Sequence, residues 1–148
     1  MPIVVEVVSE EDYKAWVAKK KGTAQVAAAD NTKTFETAEL IARGEKVYQA
    51  NCAACHQANG LGLPGAFPAI SGSKIATGPI ADHINRVLNG KPGTAMAACG
   101  GQLSDADIAA VVTYQRNAWD NKMGDAAQPA AIASARGGAA EAAAPTAQ

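Results

Sequence analysis

Residues 52–56 read CAACH, and no other stretch restricts what this chain can be as sharply. Two thiols stand three positions apart, and an imidazole follows the second at once. C-x-x-C-H is the attachment signature of c-type haem. Two thiols on one helical turn can each form a thioether with a haem side chain. The histidine after the second thiol is then held against the iron as its proximal ligand. A zinc site would want four Cys/His ligands, usually in paired clusters, and only Cys99 and His83 remain to complete one. A thioredoxin-like dithiol would follow a strand near a βαβ pattern. A structural disulfide would leave Cys99 unmatched and His56 without a role. Cys52 and Cys55 are therefore read as the tethers of one covalent haem c, and His56 as an iron ligand.

A haem held this way has either a sixth ligand or an open iron. Methionine is the usual partner in electron-transfer cytochromes, where it raises the potential. Met1, Met96 and Met123 are the candidates. Met96 lies in GKPGTAMAACGGQLSD, a loop before the last predicted helix of the middle segment, so the chain can wrap the haem and present sulfur from the opposite side. An isolated loop methionine is ordinarily a gap-filler; beside a haem, ligation by Met96 is the better reading. His83 is expected to be a solvated helix histidine, the alternative being one that tunes the haem or titrates at about pH 6.5. Cys99 is expected to be a small buried hydrophobe, the alternatives being an iron-bound thiolate or an intermolecular disulfide. Lys46, Lys74 and Lys91 are expected to be ordinary solvated lysines rather than a docking patch. Ser104 and Asp107 read as a helix cap, and no catalytic triad or carboxylate pair stands out.

Around the motif the chain divides into four parts. Residues 36–121 carry three predicted helices. In the first, Leu40, Ile41, Gly44, Val47 and Tyr48 share one face, and Gly44 there implies close approach of another helix. The second is PIADHINRVLNG. The third starts at Ser104, and its stripe of Ile108, Val111, Val112, Gln115 and Trp119 is broken only by Gln115. Aromatic residues make up 5% of the chain, so this segment buries little surface of its own and points to a non-protein group in its core. Residues 1–21 read as one strand, Ile3–Val8, and a short helix opened by Ser9 and Asp12. A lone strand needs partners, so this looks like the end of a larger domain. Residues 22–35 read as a linker. Residues 122–148, rich in Ala, Gly and Pro, are expected to be disordered, the alternative being an Ala-rich helix in patches, interrupted at Pro129, Gly137, Gly138 and Pro145. The net charge of −1 implies no nucleic-acid partner.

The middle segment, in its order of helix, CAACH, Gly/Pro loop, helix, Met loop and final helix, resembles the class I cytochrome c family. The resemblance implies an all-α fold around a covalent haem. It also implies that the carbonyl of Pro68, in FPAISGS, accepts a hydrogen bond from the ligand histidine. An aromatic residue would be expected where Cys99 stands. The stretch MPIVVEVVSEEDYKAWV is similar to the last strand and closing helix of the copper A domain of cytochrome c oxidase subunit II. Met1 matches a copper ligand there, but the other copper ligands are absent, so copper is not expected. Together these imply the C-terminal end of a caa-type oxidase subunit II: a cupredoxin-like remnant, a linker and a cytochrome c domain. It would take electrons from a donor cytochrome c or similar carrier and pass them to copper A. Such haem is attached outside the bacterial cytoplasm, so the parent is expected at the periplasmic side of the inner membrane, and this chain is read as a soluble fragment of it. With His56 and Met96 both on iron, the domain catalyses nothing itself. The alternatives are a free-standing monohaem cytochrome or a cytochrome module of another redox enzyme. A further one is a sensor or peroxidase-like enzyme with five-coordinate iron.

Overall fold

The computed structural model describes residues 8–17 and 33–142, with side chains to residue 137. Helix α1 covers residues 10–17. Then follow α2 (Thr37–Asn51), α3 (Ala53–His56), α4 (Lys74–Thr77), α5 (Ile80–Asn89), α6 (Asp105–Asn117) and α7 (Pro129–Ala142). The described residues form no strand, only one isolated bridge between Leu63 and Phe67. The fold is all-α, as the motif order implies for a class I cytochrome c. Apart from Val8, the expected strand Ile3–Val8 lies outside the described residues, and so does most of the linker. Ser9 caps α1 as its sequence predicts, its Oγ accepting from the Asp12 amide at 3.1 Å. None of these helices is long and apolar enough to cross a membrane.

Helix α6 is the centre of the molecule. Ser104 Oγ accepts from the Asp107 amide at 3.1 Å and fixes its start. From Ile108 to Arg116 every residue is buried, because α2, α5 and α7 all pack on it. A helix buried all round needs small residues to let its neighbours in, and Ala106, Ala109 and Ala110 supply them. Across it lies α2, closest at Gly44. A Cβ built on Gly44 would overlap the Ala110 carbonyl and stand 2.7 Å from Tyr114 Cβ. The crossing is flanked by an ion pair, Arg43 to Asp107 at 2.8 Å. Beyond it Tyr48, Tyr114 and Trp119 cluster with ring centroids 5.1–5.5 Å apart.

Three expectations change. The predicted third helix ends at Asn117, two residues before Trp119, which turns into a left-handed conformation (φ 55°) so that its ring meets Tyr48. Phe35, assigned to the linker, is 5% exposed in the core. Its backbone is clasped at both ends by the Gln128 side chain, each bond 3.0 Å. Of the tail expected to be disordered, 122–148, the described residues, which run to 142, are ordered against the core. Ala127, Pro129 and Ile132 are buried, the Ala127 amide donates to Thr113 Oγ1 at 2.9 Å, and Arg136 binds the Asp105 carboxylate and the carbonyls of Gly100 and Leu103. Composition underrated the tail because it counts large apolar residues, whereas the surface of α6 is made for small ones.

Behind α6, Arg116 is 2% exposed. It grips Asp125 with two bonds of 2.7 and 2.6 Å and donates to the carbonyls of Ala76 and Gly78 at 3.0 and 2.9 Å. One guanidinium thus joins the end of α4, α6 and the loop before α7.

Substituting Gly44→Val should force α2 off α6 and destabilise the fold by about 3 kcal/mol, the upper part of the overpacking range. Thermal unfolding followed by circular dichroism would show the lowered midpoint; an unchanged midpoint would contradict the close crossing.

Candidate functional site

A cleft of about 530 Å³ opens between the end of α2, α3, the loop after it, α5 and the loop before α6. That volume is typical of ligand clefts. Cys52, Cys55, His56, Pro68 and Met96 all line it. The five residues singled out in the sequence are therefore brought together, from three separate stretches of chain.

The first wall is set by α2. Cys52 ends that helix, its amide bonded to the Tyr48 carbonyl at 2.8 Å, and the His56 amide bonds in turn to the Cys52 carbonyl at 2.9 Å. Helix α3 stops at His56 because Gln57 takes φ 62°. Tyr48 Oη donates to the Gln57 carbonyl at 2.6 Å and holds that turn. The Cys52, Cys55 and Cys99 thiols are free. Burial pushes the Cys52 thiol up to about 12, with the neighbouring Cys99 and Cys55 thiols adding to the effect. Burial also raises Cys99.

His56 Nδ1 lies 2.9 Å from the Pro68 carbonyl oxygen. A carbonyl only accepts, so Nδ1 carries the proton and Nε2 keeps its lone pair. That is the tautomer a metal-binding imidazole requires. Pro68 is held in place by a short loop in which Leu63 and Phe67 exchange two backbone bonds of 2.8 Å. The amides of Ile70 and Ser71 also donate to the Gly60 carbonyl at 2.7 and 3.0 Å.

Met96 belongs to a loop folded back on α5. The Lys91 amide donates to the Met96 carbonyl at 3.0 Å, and the amides of Cys99 and Gly100 donate to the carbonyls of Val87 and Leu88 at 3.1 and 3.0 Å. The loop leaves α5 through Gly90, which has φ 66° and no space for a Cβ beside Ala97 and Ala98. Cys99, where an aromatic side chain was expected, is partly buried and lines the cleft beside Met96. Of the three lysines, Lys91 lines the cleft; Lys46 and Lys74 do not.

His83 departs from its expected role. It is not solvated but 3% exposed, in the cleft wall. Its Nε2 lies 2.8 Å from Gln115 Oε1. Burial, outweighing the bond to Gln115, lowers its pKa to about 4. Two signals in the sequence pointed here: His83 stands three residues after Ile80 and four before Val87, on the apolar face of α5, and Gln115 is the polar break in the stripe of α6.

Two thiols, an imidazole with a free Nε2 and a thioether around an apolar cleft fit the haem expected from CAACH. Among the described residues, no group of three or more His, Cys, Asp and Glu side chains could hold a bare ion. Residues 39–114, which include every residue lining the cleft except Gln115, match the family model described as cytochrome c oxidase, cbb3-type, subunit III. Cytochrome c-552 of Thermus thermophilus is 36% identical over 101 residues, covering 53% of this chain and 69% of the relative. Cytochrome c6 of Diacronema lutheri is 40% identical over 77 residues, covering 50% of this chain and 90% of the relative. Dihydro-heme d1 dehydrogenase of Pseudomonas aeruginosa is 38% identical over 73 residues, and the chain spans only 14% of that protein.

Replacing Gly90 by alanine puts a Cβ at a left-handed position, costing about 1–2 kcal/mol, and crowds the Met96 loop. The expected result is a lower denaturation midpoint together with faster amide exchange at Cys99 and Gly100. Unaltered exchange at those two amides would show that the loop does not depend on this turn.

Proposed function

The chain belongs to the family of cytochrome c domains described as cytochrome c oxidase, cbb3-type, subunit III, and from that membership we propose that it is an electron carrier with one covalent c-type haem in its cleft. When bound, the haem supplies a one-electron iron couple. The chain's own residues divide the remaining work. Cys52 and Cys55 would hold the macrocycle through thioethers. His56 would offer Nε2 to the iron, with the Pro68 carbonyl fixing its ring and raising its basicity. Met96, on the facing loop, would offer sulfur to the same iron and favour a raised potential. With both donors engaged, the iron would carry electrons and bind no substrate. The observation that carries this reading is the bond from His56 Nδ1 to Pro68 O, in a cleft that also holds both thiols and Met96.

The finer reading places the domain in a terminal oxidase, as the C-terminal part of a caa-type subunit II at the periplasmic side of the membrane. It would take electrons from a donor cytochrome c or similar carrier and deliver them to copper A. Its support is the resemblance of residues 1–21 to the end of a copper A domain. Val8, just before α1, and Tyr13 and Trp16 on it are about half exposed, and the two rings stack at 6.2 Å.

Produced in a host that matures c-type cytochromes, the denatured polypeptide should keep a red chromophore and the added mass of one haem. Cys52→Ala together with Cys55→Ala should abolish both. Met96→Ala should retain the covalent haem but lose the weak long-wavelength band of sulfur-ligated ferric iron and bind carbon monoxide rapidly. A colourless wild-type chain would overturn the reading, and an unchanged band in Met96→Ala would reassign the sixth ligand.

A further inference from the structure

Among the described residues, one buried side-chain polar atom has no hydrogen-bond partner, and it is Nδ1 of His83. The other ring nitrogen, Nε2, is spent on Gln115 Oε1, and Gln115 is itself 3% exposed. An amide oxygen only accepts, so Nε2 carries the proton and Nδ1 is a bare lone pair. A buried acceptor without a donor is a standing cost to the fold. Two leucines would have filled the same space without that cost. Both His83 and Gln115 stand in the wall of the haem cleft, and the lone pair is buried within that wall.

We propose that His83 is a redox-linked proton site: its Nδ1 takes a proton when an electron enters the cleft and returns it when the electron leaves. The inference rests on the haem reading above. In the step, a donor carrier loses one electron, the haem, when bound, would take it up, and hydronium gives its proton to Nδ1, so that an O–H bond breaks, an N–H bond forms and water is released. Coulomb attraction supplies the coupling, since the added electron favours the imidazolium.

Two charges act directly on His83. From α6, Arg116 opposes protonation, and Asp125, which binds Arg116, favours it. Arg86, on α5 itself, and Lys91 line the same cleft, and Asp82 precedes His83 on the exposed side. Helix α4 brings the exposed Lys74, and α7 brings Arg136, which is tied to Asp105 at the far end of α6. Asp107 is paired with Arg43. Across the cleft stands the protonated Cys99 thiol.

Burial keeps His83 neutral near pH 7, its pKa lying at about 4. The electron makes that pKa higher in the ferrous than in the ferric state. Reduction therefore takes up protons between the two values. The midpoint potential falls as pH rises through that window and is flat above it.

The test uses the full-length holoprotein, titrated potentiometrically from about pH 4 to 8. Wild type should approach a tenfold change in the apparent reduction constant per pH unit within the window. His83→Leu should be flat there with its axial ligand bands unchanged. His83→Gln, which keeps an amide beside Gln115 but cannot titrate, should be flat too and decides the matter if the leucine variant does not fold. Nitrogen-15 spectra should show Nδ1 unprotonated above the window and titrating at higher pH in the ferrous than in the ferric protein. The same slope in the variants, or equal His83 titrations in both redox states, overturns this proposal alone. Failure to form covalent haem overturns the function on which it stands.

Discussion

The whole arrangement depends on how closely α2 can approach α6. At Gly44 there is a hydrogen where every other residue would place a carbon, and the backbone of α6 occupies the space that carbon would need. This contact sets the angle at which α2 delivers its C-terminal end, and that end carries Cys52 and leads directly into Cys55 and His56. The aromatic cluster of Tyr48, Tyr114 and Trp119 closes the crossing on one side, and Tyr48 reaches onward to the turn at Gln57. A packing contact in the core is thereby converted into the position of the CAACH side chains in the cleft wall.

The opposite half of the cleft is held by polar bonds. Arg116 gathers the carbonyls behind α4 and the Asp125 carboxylate, and Asn121 ties Gly72 and Ile70 to the end of α6 through bonds of 2.6 and 3.3 Å. Asp125 is held below the usual carboxylate range by its bond to Arg116, so this junction is intact at neutral pH and weakens as the medium becomes strongly acid. A buried guanidinium does not by itself stabilise a fold. Here it satisfies backbone oxygens that a chain of few large side chains cannot cover otherwise.

Local signals were readable in the sequence. CAACH, the cap at Ser104, the glycine after Asn89 and the face containing Gly44 depend on neighbours a few positions away, and each corresponds to a feature of the structure. Features made by distant partners were not readable in the same way. His83 looked solvated because its partner lies on another helix, although the polar interruption at Gln115 was visible. Phe35 looked like linker because Gln128, which clasps it, is far along the chain. The tail looked too poor in large residues to order, because composition says nothing of the small-residue surface waiting for it. The grouping of Met96 with His56 needed only the order of elements, whereas Gly90 as the device that returns the loop needed the backbone conformation.

The helix at Pro129–Ala142 bears on where this domain can be cut. A version trimmed to the span shared with its relatives would end before Ile132 and Arg136, stripping cover from one flank of the central helix and leaving Asp105 and the Gly100 carbonyl without their cation. A cut ahead of Arg136 would therefore remove contacts that the central helix and the loop before it make in this fold.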